Sequence, residues 1–333
     1  MVHHPSAPKE KLKMRFSRAI QFIFFVIFLY CFGCQGMRSE KEGLSQPVPE
    51  SQIEINRWCS EVRSAVTDLK WNMDPCEGIR WVVGGVSVYG RPLVFVEYGP
   101  DKSPNTTLVF ATVHGDEITP LYLGLELARY MRDQEKKLGV QKDRVVIVPL
   151  VNPDGFFSHP RRRMNANGVD LNRNFLTLDW RNSALLSWKR RFRSDPRRFP
   201  GNEANSEPET KFQAQLILRM QPQKILSIHS PLNFLDYDGP SRTSLKRFSE
   251  DYAQICDRLK QTLKATSGGV FPGSLGKYAG RELGIPTLTL ELPSADPRHA
   301  DVYWKQFKSG IHHMIRFSIP QTVSRFSPAG SGG

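Results

Sequence analysis

Short apolar runs recur along this chain, separated by longer stretches in which apolar residues fall three and four positions apart. TTLVFATV (106–113), RVVIVPLV (144–151), KILSIH (224–229) and PTLTLEL (286–292) are too short for buried helices and rich in β-branched residues, so the pattern predicts buried strands. WVVGGVSVYGRPLVFVEYG (81–99) alternates about a Gly-Arg-Pro turn, as a β-hairpin does. Between the runs, LYLGLELARYMRDQEKK (121–137), ETKFQAQLILRM (209–220) and KRFSEDYAQICDRLKQTL (246–263) carry helical spacing. SEPE, from Ser206 to Glu209, has the form of a capping box and is expected to start the second of these helices. Strands alternating with helices predict an α/β domain with a mixed, largely parallel central sheet flanked by helices.

The ends of the chain read differently. Lys9, Lys11, Lys13, Arg15 and Arg18 precede the apolar run AIQFIFFVIFLYCFGC, a basic region followed by an apolar one of signal-peptide length. Met14 lies within the basic region and is an alternative start, leaving Arg15 and Arg18 as its charge. A membrane anchor is the structural alternative, although the run is shorter than the roughly 20 residues a spanning helix needs. Residues 1–34 are therefore expected to be a signal peptide or lipoprotein signal, and the protein to be exported to the periplasm. Cys34 stands where a bacterial lipoprotein carries its lipidated cysteine, though Cys31 fills the place usually held by Leu. Lipid anchoring at Cys34 and ordinary cleavage both stay open. Residues 37–52 read as a linker, 35–74 as that linker plus an N-terminal helical segment from Ile53 to Leu69, 75–318 as the main domain and 319–333 as a flexible tail. In an oxidising compartment Cys59 and Cys76 are free to pair, which leaves Cys256 odd.

Composition is ordinary for a globular protein, but charge is not. With 46 Lys and Arg against 33 Asp and Glu, the formal net charge is +13, which suits a polyanionic neighbourhood such as anionic lipid or a cell-wall polymer. Nucleic acid is not an expected partner, because no recognition motif is present and the export signal points elsewhere. No obligate protein partner is inferred.

Candidate chemistry collects where strands end. LVFATV stops at HGDE, VVIVPLV at NPDG, KILSI at His229-Ser230 and PTLTL at Glu291-Leu292-Pro293. In a largely parallel sheet these endings share one rim, which brings His114, Glu117, His229 and Glu291 to the place where such sheets bind ligands. Two histidines and a carboxylate suffice to hold a catalytic zinc with a fourth position open for water. Zinc lowers the pKa of that water to about 7 and polarises a carbonyl, while a further carboxylate such as Glu291 is placed to shuttle the proton to a leaving amine. Each residue has a plainer reading taken alone: a satisfied core histidine for His229, an ion-pair partner for Glu291.

HGDE, NPDG, RRRMNANGVDLNRNF, IHS and TLTLELP, in that order, closely resemble the zinc carboxypeptidase family, over roughly residues 80–318. The resemblance implies one zinc per chain, with His114, Glu117 and His229 as ligands and Glu291 as general base and acid. It implies that Asn172 and Arg173 grip the substrate's terminal carboxylate, the guanidinium fork matching a planar anion. Asp170 corresponds to a carboxylate that orients the zinc ligand His114. Arg163 corresponds to the arginine that stabilises the oxyanion, although Arg161 and Arg162 stand beside it.

The chain also departs from the family. The mobile tyrosine that closes over substrate in digestive members would fall at Gly268 or Gly269, with Tyr278 and Phe271 as unaligned substitutes. The side-chain specificity positions match neither a tryptic-like nor a chymotryptic-like pocket. HGDE, NANGVDLNRNF and GIPTLTLELP look most similar to the bacterial branch that cuts murein peptides between γ-D-glutamate and meso-diaminopimelate. That resemblance implies a murein peptide substrate. The segment WRNSALLSWKRRFRSDPRRF, with Arg181, Lys189, Arg190, Arg191, Arg193, Arg197 and Arg198, is either a solvated loop, an anionic-lipid contact or a device that steers anions. Two further readings stand beside this one: a general exported carboxypeptidase for L-peptides, which a hydrophobic or acidic specificity pocket would favour, and a cell-wall-binding protein without turnover. A related deacylase group with the same zinc triad is not expected to carry DLNRNF.

Overall fold

In the third strand, Leu108 and Phe110 bury against one layer of helices while Val109 and Ala111 bury against the other. That two-sided burial explains why the strand runs read as continuously apolar. The computed structural model describes residues 49–139, 141–239, 250–260, 263 and 269–319, all within the unit from Pro47 to Gly333. The candidate signal, Cys34 and the tail beyond residue 319 lie outside the described residues.

In chain order the elements are α1 (Pro49–Asp68), β1 (Val82–Val86), β2 (Pro92–Tyr98), β3 (Thr106–Ala111), α2 (Thr119–Leu138), β4 (Arg144–Val148), the single turn α3 (Pro153–Phe156), α4 (Trp180–Arg190), α5 (Pro208–Met220), β5 (Lys224–His229), β6 (Phe234–Tyr237), α6 (Glu250–Lys260), β7 (Thr287–Glu291) and α7 (Ala300–Arg316). The seven strands form one mixed sheet in the order β1-β2-β4-β3-β5-β7-β6. Its centre, β4-β3-β5-β7, is parallel, and the flanking strands β1, β2 and β6 pair antiparallel. One core layer joins α1, α2, α6 and α7 to the sheet through residues such as Trp58, Leu121, Leu259 and Phe307. The other packs Phe212, Leu216 and Ile217 of α5 onto Phe95 and Phe110.

The chain leaves β3 toward β4 on one side and leaves β5 toward β6 and β7 on the other. The carboxyl ends of β3 and β5 therefore flank a topological switch point, the crevice in which open α/β sheets bind ligands. Thr112, at φ 53°, turns the chain sharply out of β3, and its hydroxyl donates to the carbonyl of Pro149 at 2.9 Å. Gly115 of HGDE then packs against the NPDG turn, and Gly155 of NPDG against the loop that carries Arg162 and Met164. A Cβ on Gly115 would lie 2.2 Å from the Gly155 carbonyl carbon, and one on Gly155 would lie 2.6 Å from the carbonyl oxygen of Met164. Only glycine fits at either place.

Four expectations change. Residues 49–52, read as linker, are the first turn of α1. SEPE forms no capping box: Glu207 occupies the N-cap but its carboxylate takes Asn165, Asn167 and Ser206 rather than the helix backbone, and Glu209 accepts from Asn165 Nδ2 at 2.9 Å and Val88 N at 3.3 Å. Those buried donors recruit the carboxylate that the local motif would have used. The start of the basic segment is helical, as α4 buries Trp180 and Ala184. Strand β6 and helix α7 were not anticipated, because FLDY is short with an acid in its middle and the α7 pattern is broken by Gly310, His312 and His313. Cys59 and Cys76 are joined in a disulfide that ties α1 to the segment before β1, and Cys256 is free and buried.

Candidate metal centre and substrate cleft

His114 and Glu117 follow β3, and His229 ends β5, so the switch point brings them together. His114 Nδ1 lies 2.7 Å from Glu117 Oε1, His229 Nδ1 lies 2.9 Å from Glu117 Oε2, and the two imidazole Nδ1 atoms are 3.1 Å apart. All three side chains are buried. His114 is fixed from behind: its Nε2 lies 3.0 Å from Asp170 Oδ1. With Nδ1 ligating a metal, the ring's single proton would sit on Nε2 and donate to Asp170, which leaves the Nδ1 lone pair for the centre shared with His229 and Glu117. Two nitrogens and a carboxylate converging with a lone pair toward their common centre fit a divalent zinc, and the carboxylate behind the histidine is the usual support for such a ligand.

Burial by itself raises the Asp170 carboxyl, but Arg163 and His114 beside it hold it well below the usual range. Glu117 is likewise buried, yet its two histidines hold it low. Arg163 lies across both carboxylates, with Nε donating to Asp170 Oδ2 at 3.0 Å and Nη1 to Glu117 Oε1 at 3.2 Å. Much of its donor fork is thus spent inside the protein, while its side chain still lines the cleft.

Glu291 sits directly opposite His229 in the β5–β7 pairing, which places the two side chains on the same face of the sheet. It is 8% exposed, and burial followed by the charge of Glu117 pushes its carboxyl up to about 7. A carboxyl near neutrality can both take and return a proton.

These residues open into a cleft of about 470 Å3 that is also lined by Asn172 and Arg173. Asn172 Oδ1 accepts from Leu275 N at 2.8 Å, and Phe175 N donates to Gly273 O at 2.9 Å, so the DLNRNF segment is docked onto the PGSLG segment. Arg173 is buried, its guanidinium carbon 4.3 Å above the Phe271 ring, and its Nε has no partner among the described residues. Of the two aromatic substitutes for the missing tyrosine, Phe271 lines the cleft, whereas Tyr278 stacks on Phe175. Gly268 lies outside the described residues.

NPDG, by contrast, serves the scaffold. Asn152 Nδ2 donates to the Arg163 carbonyl at 3.1 Å, and Asp154 takes Ser87 Oγ, Tyr89 N and Arg91 Nη1 from the β1–β2 hairpin.

The cleft floor had no signature in the local pattern. Ser227 on β5, Thr289 on β7 and Asp236 on β6 are registered side by side across three strands, and Asp238 follows at the end of β6. Thr289 Oγ1 donates to Asp238, whose carboxyl is raised to about 7 by burial and by Asp236. Ser227 Oγ is buried without a partner among the described residues. Recognising FLDYD as an edge strand would have put both acids beside the site.

The pattern of the zinc carboxypeptidase family matches residues 76–310. The chain is 32% identical over 235 residues to murein peptide amidase A of Escherichia coli (strain K12), covering 70% of this chain and 88% of that one. It is 33% identical over 126 residues to the catalytic chain of human carboxypeptidase N, covering 31% and 28% respectively. Among solved structures, a murein-tripeptide amidase from Escherichia coli O157 superposes with a TM-score of 0.52 at 27% identity, covering 72% of this chain and 93% of that one. Carboxypeptidase A from Helicoverpa armigera shares the fold, with a TM-score of 0.53 at 22% identity over 80% of this chain and 73% of that one.

Proposed function

Because this chain belongs to the zinc carboxypeptidase family, we propose that it hydrolyses murein peptides at the bond between γ-D-glutamate and meso-diaminopimelate. One observation carries the chemistry: the zinc-binding triad, Glu291 and the Asn172–Arg173 pair all line a single cleft. The substrate assignment is supported by the murein peptide amidases among its relatives.

His114, Glu117 and His229 would hold the zinc, which when bound supplies a Lewis acid that acidifies water and polarises the scissile carbonyl. Arg173 and Asn172 take the terminal carboxylate and so fix the amide relative to Glu291. Glu291, buried and raised toward neutrality, takes a proton from water and returns it to the departing amine nitrogen. Arg163 balances Glu117 and Asp170, and its remaining N–H donors face negative charge that develops on the carbonyl oxygen.

The acidic floor favours a departing residue whose side chain ends in an ammonium group, because Asp236, Asp238 and two hydroxyls offer only acceptors or rotatable donors there. Diaminopimelate carries such a group. So does lysine, and the floor therefore also favours a second reading, a carboxypeptidase for L-peptides with basic ends. Export to the periplasm, with or without a lipid on Cys34, is part of the proposal and is supported by the basic and apolar regions before that residue.

The test is mass spectrometry of products from L-Ala-γ-D-Glu-meso-diaminopimelate and from L-peptides ending in lysine, with the zinc-loaded protein and Glu291→Gln. Free diaminopimelate from wild type alone upholds the murein assignment. Trimming of the lysine peptides alone replaces it with the second reading.

A further inference from the structure

The wall of the cleft holds more positive charge than one terminal carboxylate requires. Beyond Arg173, three arginines that follow α4 reach the same mouth. Arg197 and Arg198 line the cleft, and Arg191 stands 4.6 Å over the Phe271 ring that Arg173 also covers. Arg198 lies 4.8 Å over the Phe192 ring, and Arg173 lies 5.7 Å from that same ring. Two phenyl rings thus hold several guanidinium groups by their faces. Stacking by the face does not itself use the N–H edges, and those edges are the part that grips a carboxylate.

The protein neutralises these like charges only in part. Arg191 has no carboxylate partner among the described residues, and Arg198 has only Asp195 at 3.7 Å. Arg197 is paired with Asp116 at 2.8 Å, which anchors this wall beside the ligand turn that carries Glu117. The guanidinium of Arg173 is pushed down to about 10, by burial first, with Arg163, Arg198 and Arg191 adding to it against Asp170. Crowding like charges around a cleft is costly unless an anion occupies it.

We propose that Arg191, Arg197 and Arg198 form a subsite for a second carboxylate of the substrate, next to the one that Arg173 takes. The inference rests on the murein reading for its ligand, since a γ-linked D-glutamate carries a free α-carboxylate and diaminopimelate a distal one. An ordinary peptide that ends in lysine offers neither.

The test compares KM for three substrates: L-Ala-γ-D-Glu-meso-diaminopimelate, the same peptide with the D-glutamate α-carboxylate amidated, and the same peptide ending in lysine. Wild type is expected to lose about tenfold in KM on one analogue, the worth of one solvent-accessible charge-assisted contact, and that analogue identifies the carboxylate. Arg198→Gln and Arg191→Gln are expected to raise KM by a similar factor on the parent peptide, with kcat changed less, and to add little on the sensitive analogue. Arg198→Lys should recover part of the loss, and melting curves check that the variants fold. Equal KM increases on all three substrates, or none on any, overturn the subsite.

Inhibition of whichever substrate is turned over, by a short dicarboxylate and by its monoamide, gives a readout independent of the murein reading. The subsite requires the dicarboxylate to inhibit about tenfold better, and this preference to vanish in Arg198→Gln. If no murein peptide is cleaved yet the dicarboxylate preference holds, the murein reading fails and the subsite stands. If the preference is absent, the subsite fails whatever the substrate.

Discussion

Asp170 Oδ1 lies 3.0 Å from Nε2 of His114 and thereby decides which nitrogen of that ring faces the metal centre. The same carboxylate is balanced on its other oxygen by Arg163. Asp170→Asn keeps the shape but removes the charge and allows the ring to flip its tautomer. Zinc affinity is expected to fall 10–100-fold, measured by competition with a chromogenic chelator. An unchanged affinity would show that His114 is fixed by packing alone.

Glu291→Gln removes the proton carrier while keeping the side chain's size. Turnover should drop at least 10³-fold with zinc content unchanged by elemental analysis, because the triad does not include this residue. Residual activity within tenfold of wild type would assign the proton transfer to another group.

Asp238→Asn addresses the floor of the cleft. For substrates whose departing residue ends in an ammonium, KM should rise about tenfold, whereas an analogue with that amine removed should be indifferent to the substitution. Equal effects on both analogues would make Asp238 a scaffold residue, held by Thr289 for the sake of β7.

The Cys59–Cys76 disulfide closes a loop of 17 residues. Reduction should lower unfolding free energy by about 3 kcal/mol, seen as a shift of the urea midpoint, with Cys256 buried and uninvolved. The loss should be largest in the contacts α1 makes with the β1–β2 hairpin.

Glu209 gives a pH signature away from the metal centre. Burial raises its carboxyl from 4.5 to about 7 in the folded protein, so the native state holds its proton more tightly than the unfolded chain. Its contribution is complete below about pH 4.5 and is lost as pH rises through about 7. Stability should decline across that window by on the order of 3 kcal/mol. Urea titrations at pH 5 and pH 8 check this, and Glu209→Gln should flatten the difference.

Local pattern was enough to place most of the sheet and much of the chemistry. Runs such as TTLVFATV and PTLTLEL are buried on both faces, so their apolar character is continuous and their ends are sharp. His114 and Glu117 follow the end of β3, and His229 and Glu291 close β5 and β7, which is why their convergence could be foreseen from strand ends; DLNRNF lies more than twenty residues beyond β4, and only the family resemblance placed it at the site. What local pattern could not supply was pairing. Asp236 and Asp238 became part of the cleft only because FLDY adds to the outer edge of β7, and a four-residue strand with an internal acid has too little periodicity to announce itself.

Competition for partners also lies beyond sequence. SEPE has the spacing of a cap, yet the donors that claim Glu209 come from Val88, on the hairpin, and Asn165, in the arginine loop. The arginines after α4 read as a basic run; their place at the mouth of the cleft depended on Phe192 and Phe271 meeting there, with ring centroids 5.6 Å apart. Sequence by itself determined the ligand types, the strand ends and the family pattern, because these are properties of residues close in the chain. Tertiary structure alone decided which acids, hydroxyls and arginines surround that centre, because hydrogen bonds and stacked rings between distant segments are settled only when the sheet closes and the loops dock.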